Sequence, residues 1–155
     1  MKKITILLLI ISLIFNIVLV YFFVLKGDVV KTKDSRTSIN ITPENREFVL
    51  AEMRGFLESI RDINQGILDN NPKNIIAAGE KSGTGIVHEA PAGLMKTLPL
   101  SFKSLGLGTH AKFDEIAKMA RENYKQQEAQ KQVTSILNNC TSCHASFKFQ
   151  TIPEK

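Results

Sequence analysis

A five-residue pattern near the C-terminus constrains this chain more than any other feature. Cys140, Cys143 and His144 form a C-x-x-C-H sequence, which is the attachment pattern for a c-type haem. On a helix, spacings of three and four residues place all three side chains on one face. Two thiols there can form thioethers with the vinyl groups of a haem, and the imidazole can bind the iron as its proximal ligand. The pattern therefore predicts one covalently attached haem c on a helix close to the end of the chain.

The same residues allow two other interpretations. The first is a structural or redox C-x-x-C disulfide in which His144 has no part. The second is half of a zinc site, but both cysteines of the chain lie in the motif, and the other histidines, His88 and His110, stand apart from it and from each other. A second pair of ligands that would complete a tetrahedral set is therefore lacking in the sequence. Covalent haem is the favoured interpretation.

The N-terminus carries a candidate membrane helix. Residues 4–25 form a run of 22 residues without charge, and about 20 apolar residues suffice to cross a bilayer core. A cleaved signal peptide has a shorter apolar core and a small-residue cleavage site. This run instead ends in Tyr21, Phe22 and Phe23, where an interfacial aromatic belt is expected. We therefore predict an uncleaved anchor.

Flanking charges bear on the orientation of that anchor. Lys2 and Lys3 precede the run and favour a cytoplasmic N-terminus, whereas Lys26, Lys31 and Lys33 follow it and weaken the argument. Because c-type haem is attached on the outer side of the bacterial inner membrane, the motif agrees with the first orientation. The expected location is a single-pass inner-membrane protein with its haem domain in the periplasm.

Charge and composition divide the chain into three parts. The net charge of +5 is concentrated as +4 in residues 1–42, which leaves +1 for residues 43–155. A nearly neutral body does not indicate a nucleic-acid surface. We expect an anchor at 1–26, a flexible polar linker at 27–42 and one folded domain at 43–155.

The domain shows helical periodicity and no strand signals. Thr42 and Pro43 begin a long amphipathic stretch at residues 44–69, and Asn71 and Pro72 begin a second helix. Residues 83–99 contain three Gly and two Pro and are expected to be irregular. A third helical stretch covers residues 99–123, with Ser101 as a candidate N-cap, and the last helix carries the motif and Phe147. The predicted fold is all-α, a four-helix bundle with covalent haem on its C-terminal helix.

A haem motif within a dozen residues of the C-terminus, on the last of four helices, resembles the class II c-type cytochromes. That family contains cytochrome c-prime and its low-spin relatives, and the resemblance covers residues 43–149. It implies that the first helix of the bundle faces the open side of the haem. In cytochrome c-prime the residue there is apolar and leaves five-coordinate iron, whereas in the low-spin members it is a methionine that binds the iron.

The resemblance implies candidates for the distal side. Met53 is the candidate sixth ligand, and a thioether paired with histidine raises the reduction potential. Leu50, one turn earlier, is the alternative and would leave the iron five-coordinate. Arg46 and Arg54 are candidates to pair with a haem propionate. Lys148 stands one helical turn after His144, where cytochrome c-prime has an arginine, so a role for that position does not carry over.

Other side chains are weaker candidates for the sixth position. Met95 lies in the irregular region, and Met119 is expected to be a core residue. Bis-histidine coordination through His88 or His110 is a further alternative. His110 precedes Phe113 by three residues and is expected near the bundle interior.

The expected function is that of a membrane-anchored, periplasmic monohaem cytochrome that carries single electrons between redox partner proteins. The alternative is a gas-binding protein, with five-coordinate iron that takes NO or CO. A third possibility is a small subunit of a larger membrane redox complex. A second cofactor motif and a catalytic triad or dyad are lacking in the sequence, so we do not expect an enzyme. The resemblance also allows a homodimer.

Overall fold

The computed structural model describes residues 2–31, 34–91 and 93–152. Residues 32 and 33 of the predicted linker and the last three residues of the predicted domain lie outside the described residues. The chain is mostly helical. Helix α1 spans Lys2–Val20 and continues as a π-helical segment, Tyr21–Lys26. The continuous helix Lys3–Lys26 is long and apolar enough to cross a membrane.

Four further helices of at least eleven residues follow this apolar N-terminal helix. They are α2 at Pro43–Leu68, α3 at Pro72–Ser82, α5 at Leu100–Asn123 and α6 at Gln126–Ser146. A 3₁₀ turn, Thr84–Glu89, and the short helix α4, Leu94–Thr97, lie between α3 and α5. Helix α3 packs on α2 and α5, and α6 packs on α5 and α2.

The predicted starts of α2 and α3 are confirmed. The Thr42 side chain accepts a hydrogen bond from the Asn45 amide, and the Asn71 side chain accepts from two amides of the first turn of α3. The start of α5 differs from the prediction, because Pro99 and not Ser101 occupies the N-cap. Gly106 and Gly108 lie inside α5, so the glycines do not delay the helix.

A three-stranded sheet corrects the prediction that strands are lacking. Strand β1 is Val29–Lys31, β2 is Thr37–Ile41 and β3 is Phe147–Thr151. β2 lies in the middle, antiparallel to β1 and parallel to β3. The strands are short, and one of the two partners of β2, strand β3, lies about 110 residues further along the chain, so a pattern of neighbouring hairpin strands does not mark the sheet.

The sheet also corrects the assignment of residues 27–42 as a flexible linker. Ile39 and Ile41 are completely buried, and they belong to a core cluster with Val49, Leu94, Leu98 and Phe102. We call this the sheet cluster. A larger helix cluster lies between α2, α3, α5 and α6 and includes Ile63, Ile75, Phe113 and Ile136.

The end of α6 comes earlier than predicted. The helix stops at Ser146, and Phe147 begins β3 in place of continuing the helical face. Phe147 and Phe149 both pack against the sheet cluster, which requires the two-residue period of a strand. Lys148 therefore lies in a strand, not one helical turn after His144, and its ammonium pairs with Asp34 at 2.9 Å.

Candidate functional site

The motif lies at the point along α6 where the buried face of the helix becomes exposed. Val133 and Ile136 on that face are completely buried, whereas Cys140 and Cys143 are half-buried and His144 is exposed. His144 follows Val133 by eleven residues, or about three helical turns, so both project from nearly the same side of α6. The side of the helix that faces the core is therefore buried at Val133 and exposed at His144.

The facing part of α2 is open as well. Gln126, at the start of α6, donates a hydrogen bond to the Ile67 carbonyl at the end of α2, so the two helices run antiparallel. The first half of α2 and the end of α6 therefore lie at the same end of the helical group. There Met53 is only half-buried, and Leu57 is 67% exposed. Leu137, one turn before the motif, is 41% exposed. We call this region between α2 and α6 the open seam.

Helix α5 contributes free space to the same end of the domain. The side chain of Asn139, next to Cys140, donates to the Thr109 hydroxyl at 3.4 Å, which places the first turns of α5 beside the motif. Gly106 lies on the same face of α5 as buried Phe102 and Phe113. A Cβ atom added at Gly106 would nevertheless meet no atom within 4 Å. This face of α5 therefore leaves room for a side chain at Gly106, near the motif.

The two cysteines connect the two core clusters. Cys140 packs against the helix cluster, whereas Cys143 packs against the sheet cluster. Met53 packs against the sheet cluster too, and Leu50 is half-buried. Two thiols and an exposed imidazole are the groups through which a c-type haem is held, and the thioether of Met53 is a candidate second ligand of its iron. The residues present therefore fit that group.

The thiols themselves do not have the properties of a redox pair. Burial raises the pKa of Cys143 to about 11 and raises the pKa of Cys140. Reactive C-x-x-C cysteines instead have a lowered pKa, often at a helix N-terminus. Here the motif occupies the last turns of α6, where the helix dipole disfavours a thiolate. Both thiols are protonated at neutral pH.

A zinc site finds no support in the part of the chain that the structure describes. No group of three or more His, Cys, Asp or Glu side chains that could hold a metal ion occurs there. The side chain of His144 makes no hydrogen bond or ion pair with the rest of the described chain. Its ring is available to a ligand.

His110 lies in the interior, as predicted, but next to an acid that the sequence analysis missed. It is 5% exposed, and its Nδ1 is 2.9 Å from the Ser82 carbonyl oxygen, to which it donates. Its Nε2 is 3.7 Å from Glu52 Oε1, and its ring meets Phe56 edge-on. Both ring nitrogens of His110 therefore already face partners within the protein.

Burial raises the pKa of Glu52, although His110 acts in the opposite direction. A sequence signal for this carboxylate existed, because Glu52 follows Val49 by three residues and precedes Phe56 by four. That spacing places it at the edge of the buried face of α2.

The remaining predicted candidates are dispersed. Arg46 is partly exposed and lies 3.4 Å from the Glu47 carboxylate. Arg54 is exposed and forms no ion pair within the described residues. His88 is exposed in the 3₁₀ turn, Met95 is exposed on α4, and Met119 packs against the helix cluster.

Comparison with known proteins does not assign this chain to a family. No protein-family model, curated protein or solved structure matches it. The argument for its function therefore rests on the residues of the motif and on the geometry around them.

Proposed function

We propose that this protein is a membrane-anchored monohaem c-type cytochrome that carries single electrons between redox partners. The observation that carries the proposal is that the buried face of α6 becomes exposed toward the C-terminal end of the helix. The face of this helix is buried up to Ile136 and opens at the half-buried Cys140 and Cys143 and the exposed His144. If these were ordinary core residues, close packing would be expected to bury this helix face along its whole length.

Each residue of the site has a distinct part in this proposal. Cys140 and Cys143 hold haem c through thioethers, and His144 is the proximal ligand. Once bound, the haem supplies reversible one-electron Fe(III)/Fe(II) chemistry. The apolar lining of the open seam, including Leu57 and Leu137, excludes water from the haem edge.

Met53 is the proposed distal ligand. Its support is that Met53 and Cys143 pack against the same cluster, at the same end of the domain. Leu50 is half-buried and is not among the side chains that pack against either cluster within the described residues. Arg54, which has no ion-pair partner in the described part of the chain, is the better placed of the two arginines to meet a propionate.

The finer architecture and the location are part of the proposal. Helices α2, α3, α5 and α6 form a four-helix bundle around the haem, and the small sheet closes the motif end. The anchor holds the bundle on the outer face of a bacterial inner membrane, since Lys2 and Lys3 favour a cytoplasmic N-terminus.

The test is an absorption spectrum of the full-length protein, purified in detergent from cells that have or lack a c-type haem maturation system. We expect haem that stays with the polypeptide after denaturation, and only in cells with that system. The Cys140→Ser/Cys143→Ser double variant is the matched control and should carry no covalent haem. The reduced protein is expected to be low-spin, and CO should not change its spectrum.

Each other outcome has a defined meaning. A high-spin reduced spectrum that shifts with CO would reject Met53 ligation and favour the gas-binding alternative with Leu50 on the distal side. Haem that is lost on denaturation, or none at all, would overturn the cytochrome proposal itself.

A further inference from the structure

We propose that the folded domain is fixed to the end of its membrane helix and rests on anionic lipid headgroups. The surface that makes this contact comprises Met95, Lys96, Leu100 and Lys103, and we call it the lipid-facing surface. The proposal depends on the membrane location of the anchor but not on the haem.

The first argument is the close junction between the anchor and the domain. The π-helical segment ends at Lys26, and β1 begins at Val29. Between them, the Asp28 amide donates to the Thr97 carbonyl at 2.9 Å. Gly27 has φ +64°, and a Cβ atom there would lie 2.6 Å from the Pro99 nitrogen. The backbone of the anchor therefore touches the backbone of the α4–α5 connection, and a freely moving tether is excluded.

The second argument is that two lysines of the domain reach back to the membrane helix. The Lys103 ammonium donates to the Val24 carbonyl at 3.0 Å, at the level where the helix ends. The Lys96 ammonium lies 5.7 Å from the centre of the Phe23 ring. An aromatic residue at the end of a spanning helix lies at the headgroup level. Both lysines are therefore held at the height of the lipid headgroups.

The third argument is the chemistry of the surface around these lysines. Met95 and Leu100 are 38% and 44% exposed, although both are large and apolar. Residues 90–113 contain Lys96, Lys103 and Lys112 and no acidic residue. Exposed apolar side chains beside basic ones are typical of surfaces that bind the interface of anionic bilayers.

The same geometry sets which end of the domain faces the bilayer. The side chain of Asn40 donates to Asp28, so the end of β2 and the start of α2 lie beside the anchor junction. The motif lies at this end of α2, as described above. If the proposed haem is present, it is carried at the membrane end of the domain.

The absence of tryptophan from the chain allows a direct test. The full chain is reconstituted in vesicles that contain phosphatidylglycerol, with or without bromine on the lipid acyl chains. Met95→Trp and Leu100→Trp are the test variants. Leu68→Trp is the control, because Leu68 is 75% exposed at the far end of α2, about 39 Å along that 26-residue helix from Pro43. Each variant is compared with itself in unbrominated vesicles, so that quenching by any haem cancels.

We expect brominated lipid to reduce the emission of Met95→Trp and Leu100→Trp by about twofold, because interfacial side chains enter the headgroup and acyl boundary. The emission of Leu68→Trp should not change. Equal quenching at all three positions, or none at the two test positions, would overturn the proposal. Equal quenching in purely zwitterionic vesicles, or no loss of quenching on adding Lys96→Glu to Leu100→Trp, would overturn the role of anionic lipid.

Discussion

Phe147, the third residue after His144, pairs in parallel register with Thr37, which follows the apolar N-terminal helix by eleven residues. This pairing brings the strand that leaves the motif beside a strand from the N-terminal third of the chain. The sheet thereby connects the anchor junction to the motif. The motif end of the domain is consequently not a loose terminus, and the packing of β2 should matter for the whole fold.

The first prediction concerns Ile41, whose side chain is completely buried in the sheet cluster. Replacing Ile41 by Ala removes buried apolar volume and leaves a cavity, which should lower the free energy of unfolding by about 2–5 kcal/mol. Urea denaturation of the full-length protein in detergent, followed by circular dichroism, measures the loss. Leu68→Ala, at an exposed position, should change it by less than about 0.5 kcal/mol. Similar losses in the two variants would show that residues 37–41 behave as a linker after all.

The second prediction separates the two candidates for the distal position. In the haem-loaded protein, Met53→Ala should convert the reduced iron to high spin and allow CO to bind, because alanine offers no axial ligand. Leu50→Ala removes a side chain of similar size one turn away and should leave the spectrum low-spin. The absorption spectra with and without CO decide between them. An unchanged spectrum in Met53→Ala would reject Met53 as ligand.

The helices could be predicted because their signals are local. Thr42, Pro43, Asn71 and Pro72 mark two helix starts within a few residues of the chain, and an apolar spacing of three and four residues marks the buried faces. The sheet had no such signal, since β2 packs in a cluster with Leu94, Leu98 and Phe102 and pairs with a strand about 110 positions away. For the same reason the sequence predicted Phe147 on a helix, whereas a distant strand pairs with it.

The candidate site, like the fold, could be predicted only in part from the sequence. Cys140, Cys143 and His144 are recognisable from spacing alone, and the structure adds that their helix face is uncovered. The open space beside Gly106 and the approach of Glu52 to His110 depend on how three helices pack, which single-helix periodicity does not reveal. The junction of Gly27 with Pro99 was hidden because a polar sequence predicts a flexible linker whether or not its backbone is packed.

The third prediction tests the protonation of the motif in protein made without haem. Because burial raises the pKa of Cys143 to about 11, its thiolate fraction near pH 8 should be about 100-fold below that of an ordinary cysteine. Alkylation by iodoacetamide, followed by mass spectrometry in a Cys140→Ser background, should be slowed by a similar factor. The same protein in concentrated urea provides the reference rate. A folded-state rate equal to that reference would contradict the raised pKa, and a faster one would favour the redox interpretation of the cysteine pair.

The last prediction concerns the pH dependence of stability at Glu52. Burial raises the pKa of this carboxyl in the folded protein, so the folded state binds more protons than the unfolded state between the two pKa values. Stability should therefore fall as the pH rises from the ordinary glutamate pKa through the raised one. Glu52→Gln keeps the shape of the side chain without the charge, so its advantage over the parent protein should grow with pH across this window.

Glu58 provides a control of opposite sign for that experiment. A hydrogen bond from Lys81 lowers the pKa of Glu58, so its contribution to stability is present above the ordinary glutamate pKa and disappears as the pH falls through the lowered one. Glu58→Gln should therefore lose stability relative to the parent protein at neutral pH and regain parity in acid. Urea denaturation at a series of pH values measures both variants. Parallel curves for Glu52→Gln and the parent protein would show that the attraction of His110 cancels the effect of burial on the pKa of Glu52, and curves that diverge in the opposite direction would show that His110 outweighs burial.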